Sequence, residues 1–171
     1  MITSGDEFSH TRVGNNNPWC QDNGLNHLDW SPSAQDAGLL RFTRELVALS
    51  RNLRILQEDR YWAATSPERA GDISWHGTRL GQPDWSPRSR ALAFTLTHTG
   101  GEEQMHVMAN AGAQGLSFEL PPPAPGKRWL TVIDTARPSP GDIAGPDAQA
   151  QAAEAPVKVA PHSLVVLVCR A

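Results

Sequence analysis

The chain has 171 residues, of which 39% are hydrophobic, with 15 lysines and arginines against 18 aspartates and glutamates and a formal net charge of −3. That length holds one ordinary domain or a small domain with an appendage, and it falls short of the ~250 residues of a complete (β/α)8 barrel. So few basic residues leave no electrostatic footprint for nucleic acid or an acidic membrane surface, whereas neutral ligands fit.

The chain starts Met1-Ile2-Thr3-Ser4-Gly5-Asp6, without the basic start and apolar core of a secretion signal, and no apolar run approaches the ~20 residues of a membrane span. A soluble, cytoplasmic protein is expected. Cys20 and Cys169 are too few and too far apart for a disulfide framework or a zinc site, so both are read as reduced thiols, Cys169 in a buried strand and Cys20 in a loop. Ile2 and Thr3 form a short β-prone stub.

The next stretch, Gly14-Asn15-Asn16-Asn17-Pro18-Trp19-Cys20-Gln21-Asp22-Asn23, has neither helical nor strand periodicity and is dense in side chains that bond their own backbone. It predicts an ordered loop. Its amide donors and acceptors suit a hydroxyl-rich ligand such as a sugar, and Trp19 offers a ring face for stacking. A loop whose amides satisfy one another is the competing reading.

Gly5-Asp6-Glu7-Phe8, the Asn run and Leu25-Asn26-His27-Leu28-Asp29-Trp30 together resemble the segment after the eighth barrel strand in the glycogen-debranching and isoamylase branch of glycoside hydrolase family 13. There a Gly-Asp-Glu precedes a Gly-Asn-Asn-Asn, a Cys-Gln-Asp-Asn and an Asp-Trp. The likeness is close over residues 1–30 and looser beyond. It implies that Met1-Ile2-Thr3 is the tail of a barrel strand that begins upstream, so that an N-terminal barrel is missing from this chain. It also implies an α-glucan, glycogen or limit dextrin, as the substrate of the intact parent, with no cofactor. Asn15, Asn16, Asn17, Trp19, Gln21, Asp22 and Asn23 become the candidate glucan contacts. Pro18-Trp19 departs from the family, which more often has a small residue and a tyrosine before the cysteine.

Further along, Ser33 is the expected N-cap of a helix over 36–56, with Leu39, Phe42, Leu46, Leu49, Leu53 and Leu56 on one apolar stripe. By the resemblance this is the barrel's last helix. From Tyr61 onward prolines and glycines punctuate short β-rich runs, the pattern of an antiparallel sandwich. Strands are expected near 73–76, 91–98, 105–110, 116–120, 129–134, 157–160 and 163–169, with a hairpin connection at Thr99-Gly100-Gly101-Glu102. Leu164-Val165-Val166-Leu167-Val168 is continuously apolar and predicts a central strand covered on both faces. The Pro-, Gly- and Ala-rich segment 137–156 predicts a long, mobile surface loop. Trp75, Gly77, Gly81, Asp84-Trp85, Asn110-Ala111, Leu120-Pro121, Trp129 and Asp134-Thr135 are similar to the family's C-terminal β-domain. The expected fold is therefore mainly β: residues 1–58 as the last strand, loop and helix of an incomplete (β/α)8 barrel, and 59–171 as a C-terminal antiparallel β-sandwich.

Retaining glycoside hydrolysis needs two carboxyl groups ~5 to 5.5 Å apart. The resemblance puts these, and a third aspartate, upstream of Met1, so no residue here is expected to be catalytic. Adjacent Asp6 and Glu7 on a strand would point to opposite faces; a bracing role through backbone amides and Arg12, next to the substrate, is expected of them. None of the six histidines has metal-ligand spacing, so no metal site is expected, and His98 with His106 reads as a solvated cross-strand pair. Trp62, Trp75, Trp85 and Trp129 read as core or domain-interface residues. Two functions follow: the inactive C-terminal part of a debranching α-1,6-glucosidase, or an autonomous, non-catalytic α-glucan-binding or interaction module.

Overall fold

The structure is a computed structural model that describes residues 2–31, 37–59, 61–63, 72–98, 100–101, 103–145 and 150–171. A 3-10 turn at Asp6–Phe8 leads through the Asn-rich loop to helix α1 (Ala37–Asn52) and a second 3-10 turn, Arg54–Leu56. Eight strands follow: β1 (Ile73–His76), β2 (Ala91–Thr97), β3 (Gln104–Asn110), β4 (Leu116–Phe118), β5 (Arg128–Asp134), β6 (Gln151–Ala152), β7 (Val157–Val159) and β8 (Ser163–Arg170). Six of them form one antiparallel sheet in the order β1-β2-β3-β8-β5-β6, and β4 pairs with β7 in a second.

Strand alternation sorts the side chains of the large sheet into two apolar clusters. Leu96, Met105, Val107, Val166 and Val168 face α1, while Ala93, Met108, Val165, Leu167 and Cys169 face the small sheet, which contributes Phe118 and Val159. β8, the continuously apolar strand, lies between β3 and β5 and is covered on both faces, as its composition predicts. A bulge between Thr131 and Ile133 breaks the alternation in β5 and turns the consecutive residues Val132 and Ile133 into the same cluster. The expected sandwich is thus lopsided, with two strands on one face of the sheet and a helix on the other.

Four expectations change. Ile2 and Thr3 are in no strand, and Asp6 and Glu7 lie on a 3-10 turn that starts from a left-handed Gly5 (φ 101°); nothing beside Thr3 supplies a strand partner among the described residues. The helix stops at Asn52, because Leu53 turns extended and drops with Ile55 into the sheet's core, where the Ile55 N–H donates to Glu103 Oε1 at 2.8 Å. The predicted stripe consequently divides: Phe42 and Leu49 pack on the core, while Leu39 and Leu46 face outward with Val47. The expected cap Ser33 and Asp36 lie outside the described residues.

The segment 137–156 is not a featureless loop. Ile143, its one large apolar side chain, is buried and bridges Ile133, the Ala144 N–H donates to Val132 O at 2.8 Å, and Gln151–Ala152 adds an edge strand to β5. Arg41 of α1 pairs with Asp142 and clasps the segment to the helix. Residues 146–149 lie outside the described set, as do Thr99 and Glu102 of the hairpin connection; β2 and β3 on either side of it are paired as expected, Thr97 opposite Gln104. Among the described residues no helix is long and apolar enough to cross a membrane.

Candidate functional site

The Asn-rich loop is held by a single amide that its own sequence run does not contain. Asn26 Nδ2 donates to the carbonyls of Pro18 (2.8 Å) and Gln21 (2.5 Å), and Asn26 Oδ1 accepts from Arg12 Nε at 3.2 Å. Three points of the loop are gathered on one side chain. Asx-type bonds then fold each end locally: Asn15 Oδ1 accepts from the Asn17 N–H at 2.9 Å, and Asn23 Oδ1 from the Leu25 N–H at 3.0 Å.

These bonds divide the candidate residues. Asn15 and Asn23 spend their carbonyls on the backbone, and Gln21 Nε2 donates to Asn17 O at 3.3 Å. Asp22 meets His27 Nε2 at 3.2 Å on the surface. The side-chain amides of Asn16 and Asn17 stay exposed without a partner among the described residues, and Trp19 is 82% exposed. Arg12, Pro18, Trp19, Cys20, Gln21, Asp22 and Asn26 line an open depression of about 570 Å3. The loop therefore combines self-satisfied amides that shape it with an indole and two amides that are available to a ligand.

Asp6 and Glu7 each cap the turn they sit in: Asp6 Oδ2 accepts from the Thr3 N–H at 2.8 Å and Glu7 Oε2 from the Gly5 N–H at 2.9 Å. Arg12 goes to Asn26 and braces neither carboxylate. The turn rests on α1, with Glu7, Leu40, Thr43, Arg44 and Val47 around an open depression of about 500 Å3 that Ile2 also lines. Phe8 packs on Trp30, ring centroids 5.5 Å apart, which returns the far end of the loop to its start. Asp29 accepts both the hydroxyl and the backbone N–H of Ser31, and these bonds, the hydroxyl's first, hold its carboxyl below the usual range.

Asn26 is the residue that reading the sequence missed. It sits among the quoted family motif but outside the eye-catching run, and only its spacing of five and eight residues from the carbonyls it bonds could have signalled a bracing role.

The β-domain has its own polar centre. His106 is wholly buried beside Trp129 and bonds Thr95, not His98, which instead pairs with Glu58 at 3.1 Å. The expected solvated pair of His98 and His106 is corrected: β2 puts Thr95 opposite His106, while His98 lies beyond the strand's end. Of the tryptophans, Trp129 is buried with Nε1 donating to Pro121 O at 2.7 Å, Trp62 packs partly buried against the α1-side cluster, Trp75 is partly buried, and Trp85 is 65% exposed, which leaves it outside the core and keeps only the interface half of the expectation for it. No group of three or more His, Cys, Asp or Glu among the described residues could hold a metal ion.

Residues 74–165 match the family model described as "Isoamylase 1-3, C-terminal". Curated relatives include isoamylase 1, chloroplastic, from Oryza sativa subsp. japonica, 35% identical over 84% of this chain and 17% of the relative. A glycogen debranching enzyme from Erwinia tasmaniensis is 35% identical over 71% of this chain and 17% of its own length. A glycogen operon protein GlgX homolog from Mycobacterium tuberculosis is 32% identical over 84% of this chain and 22% of its own. The matched part of the chain spans between 17% and 22% of the length of these relatives.

Proposed function

The chain belongs to the isoamylase family, matching its C-terminal part, and from that premise we propose that it works within a debranching α-1,6-glucosidase acting on glycogen or limit dextrin. Residues 1–58 serve there as the last portion of the catalytic barrel and 59–171 as the C-terminal β-domain. The Asn-rich loop forms one wall of the cleft, with Asn16, Asn17 and Trp19 meeting glucan and Asn15, Gln21, Asp22, Asn23 and Asn26 holding the wall in shape. Asp6 and Glu7, each engaged by a backbone N–H of its own turn, support the wall and do not attack the glycosidic bond. The pair of carboxyl groups that cleaves comes from barrel residues outside these 171, and the chain alone is inactive.

The observation that carries this reading is the outward face of α1. A helix of a self-sufficient domain hides its apolar side, yet Leu39, Leu46 and Val47 are each about two-fifths exposed here, and Val47 lines an open depression together with Ile2. The relatives are roughly four to five times the length of this chain, which supports the remainder of a barrel as the body that covers this face. The test mixes the chain with the barrel segment that precedes the matched region in the Oryza relative and follows release of linear chains from amylopectin. Release is expected from the mixture and not from either part. Release by this chain alone would sink the assignment of the carboxyl pair elsewhere.

A second reading, an autonomous α-glucan-binding or interaction module, has one observation in its favour. Leu53 and Ile55 share a core cluster with the sheet, so that helix and strands hold together without a further body. Retention of the chain in glycogen-containing native gels, with no gain of activity on mixing, is its expected signature.

A further inference from the structure

Three rings climb out of the core on the helix-side face of the large sheet. Phe94 packs against the cluster that α1 closes, Trp75 lies across from it in register with ring centroids 5.5 Å apart, and Trp85 stands edge-on to Trp75 at 5.4 Å and 70°. Edge-to-face contact fixes the orientation of a ring, so the two inner aromatics hold the outer one rigid while it stays 65% exposed. A ring held still costs little entropy when something stacks on it.

The surroundings of Trp85 are polar where a ligand's rim would lie and apolar where its face would. Trp85 borders an open depression of about 310 Å3 with Leu92 beneath and Asp84, Ser86, Ser89 and Arg90 around it. Asp84 Oδ1 accepts the Ser86 N–H at 2.9 Å, which pins the turn that carries the indole; that bond and then the Ser86 hydroxyl lower the pKa of the carboxyl. The Arg90 side chain is exposed, and among the described residues it donates only to its neighbour's carbonyl, Ser89 O, at 3.4 Å, which leaves most of its N–H groups without a protein partner there.

We propose that Trp85 is a stacking platform for α-glucan chains, with Asp84 accepting from, and Arg90 donating to, the hydroxyls at the edge of the stacked glucose. The choice of glucan rests on the function proposed above; the choice of place rests on the rings. A sugar ring has an apolar face for the indole and equatorial hydroxyls for the flanking charges, and a depression of this size takes one or two such units. A polypeptide interface would want a broader apolar surface than one ring and one leucine. The site is separate in sequence from the Asn-rich loop, so glucan held here is held by the β-domain itself.

The experiment runs the full chain and its variants through native gels containing increasing glycogen, with size-exclusion chromatography alongside. Retardation of the wild type is expected. Trp85→Ala should raise the apparent Kd about tenfold, one stacked ring's worth of binding, and Arg90→Gln should raise it severalfold, while Tyr61→Ala, an exposed ring outside both proposed glucan contacts, should change it less than twofold. Trp85 and Arg90 are exposed, and far-UV circular dichroism verifies that each variant folds. Wild-type migration of Trp85→Ala, or an equal loss of retardation in Tyr61→Ala, overturns the proposal. A Trp85→Ala effect seen only as a changed oligomeric state assigns the ring to a protein contact and overturns it too. An unretarded wild type that still restores debranching on mixing removes this site and leaves the proposed function standing. Trp85-dependent retardation without restored debranching does the reverse.

Discussion

Thr95 Oγ1 lies 2.8 Å from His106 Nδ1 in the centre of the β-domain, and the direction of that bond is dictated by an amide two bonds away. The Gly81 N–H donates to His76 Nδ1 at 2.9 Å, so the neutral His76 ring carries its proton on Nε2 and donates to Thr95 Oγ1 at 3.0 Å. The threonine hydroxyl then donates to His106 Nδ1. One backbone amide thus orders a chain of three side chains across β1, β2 and β3, ending on His106 Nε2, which is buried and has no hydrogen-bond partner among the described residues.

Thr95→Val keeps the shape of the site and removes its hinge. His76 Nε2 and His106 Nδ1 both lose their partner in a buried setting, which should cost about 2 to 3 kcal/mol. Urea unfolding at neutral pH measures it; a loss below about 0.5 kcal/mol would mean the chain of bonds adds nothing to the fold.

Acid should undo the same centre. Burial, and then the nearby His76, pull His106 down to about 4 from the ordinary 6.5, and burial lowers His76 as well. Above about pH 6.5 both rings are neutral, folded or unfolded, and the fold pays nothing. As pH falls the unfolded chain takes up protons that the folded one refuses, so stability declines between about 6.5 and 4, by about 3 kcal/mol for His106. Urea midpoints at pH 7.5, 6, 5 and 4.5 should fall in that order, and His106→Leu should flatten the slope; an equally steep slope in the variant would reassign the protons to other groups.

Two glycines flank the turn that reaches His76, for different reasons. A Cβ on Gly77 would lie 2.4 Å from the Gln82 carbonyl oxygen, a backbone atom that cannot swing away, whereas Gly81 has open space but a φ of 67°. Gly77→Ala should therefore cost about 2 to 3 kcal/mol through the clash and Gly81→Ala about 1 kcal/mol through the left-handed backbone. Thermal unfolding ranks them, and the reverse order would contradict this account.

Asn26→Ala should loosen the Asn-rich loop without unfolding the protein, because its three bonds tie loop to loop and none reaches the sheet. Protease cleavage between residues 12 and 26 should speed up about tenfold, for the loss of about 1 to 2 kcal/mol of local order, with the global urea midpoint unmoved. Unchanged cleavage would show that the Asx turns suffice.

Leu46→Glu on the outer face of α1 should cost the isolated chain no more than about 1 kcal/mol, since the residue is 39% exposed and lies outside both core clusters. Its effect should appear only when a barrel segment is added, as a failure to restore debranching. Restoration equal to that of the wild type would move the proposed contact off this face.

Local chemistry made a good part of this protein legible. The β-branched and aromatic runs placed β1, β2, β3, β5 and β8 within a residue or so, and the uninterrupted Leu164–Val168 run announced the strand with two covered faces, since each reports a period of two or its absence within a handful of neighbours. The same local chemistry was silent at Ile143, a single apolar residue in a Pro- and Gly-rich segment, and it left Trp85 between core and interface, because burial of one side chain has no period to read. In the candidate site the run of amides was visible, but Asn26 and the partner of Arg12 were not, because a brace is defined by what it reaches.

The sequence by itself determined the family, through the Gly-Asp-Glu, Asn-rich and Asp-Trp motifs, and the succession of a helix followed by short strands. Tertiary structure alone decided that β3 lies beside β8, that the helix ends where Leu53 turns into the sheet, that His106 answers to Thr95, and that Trp85 stands outside on a ladder of rings. Propensity and pattern act between neighbours along the chain, whereas pairing order, burial and hydrogen-bond partnership are settled by the joint packing of segments far apart in it, which no single stretch encodes.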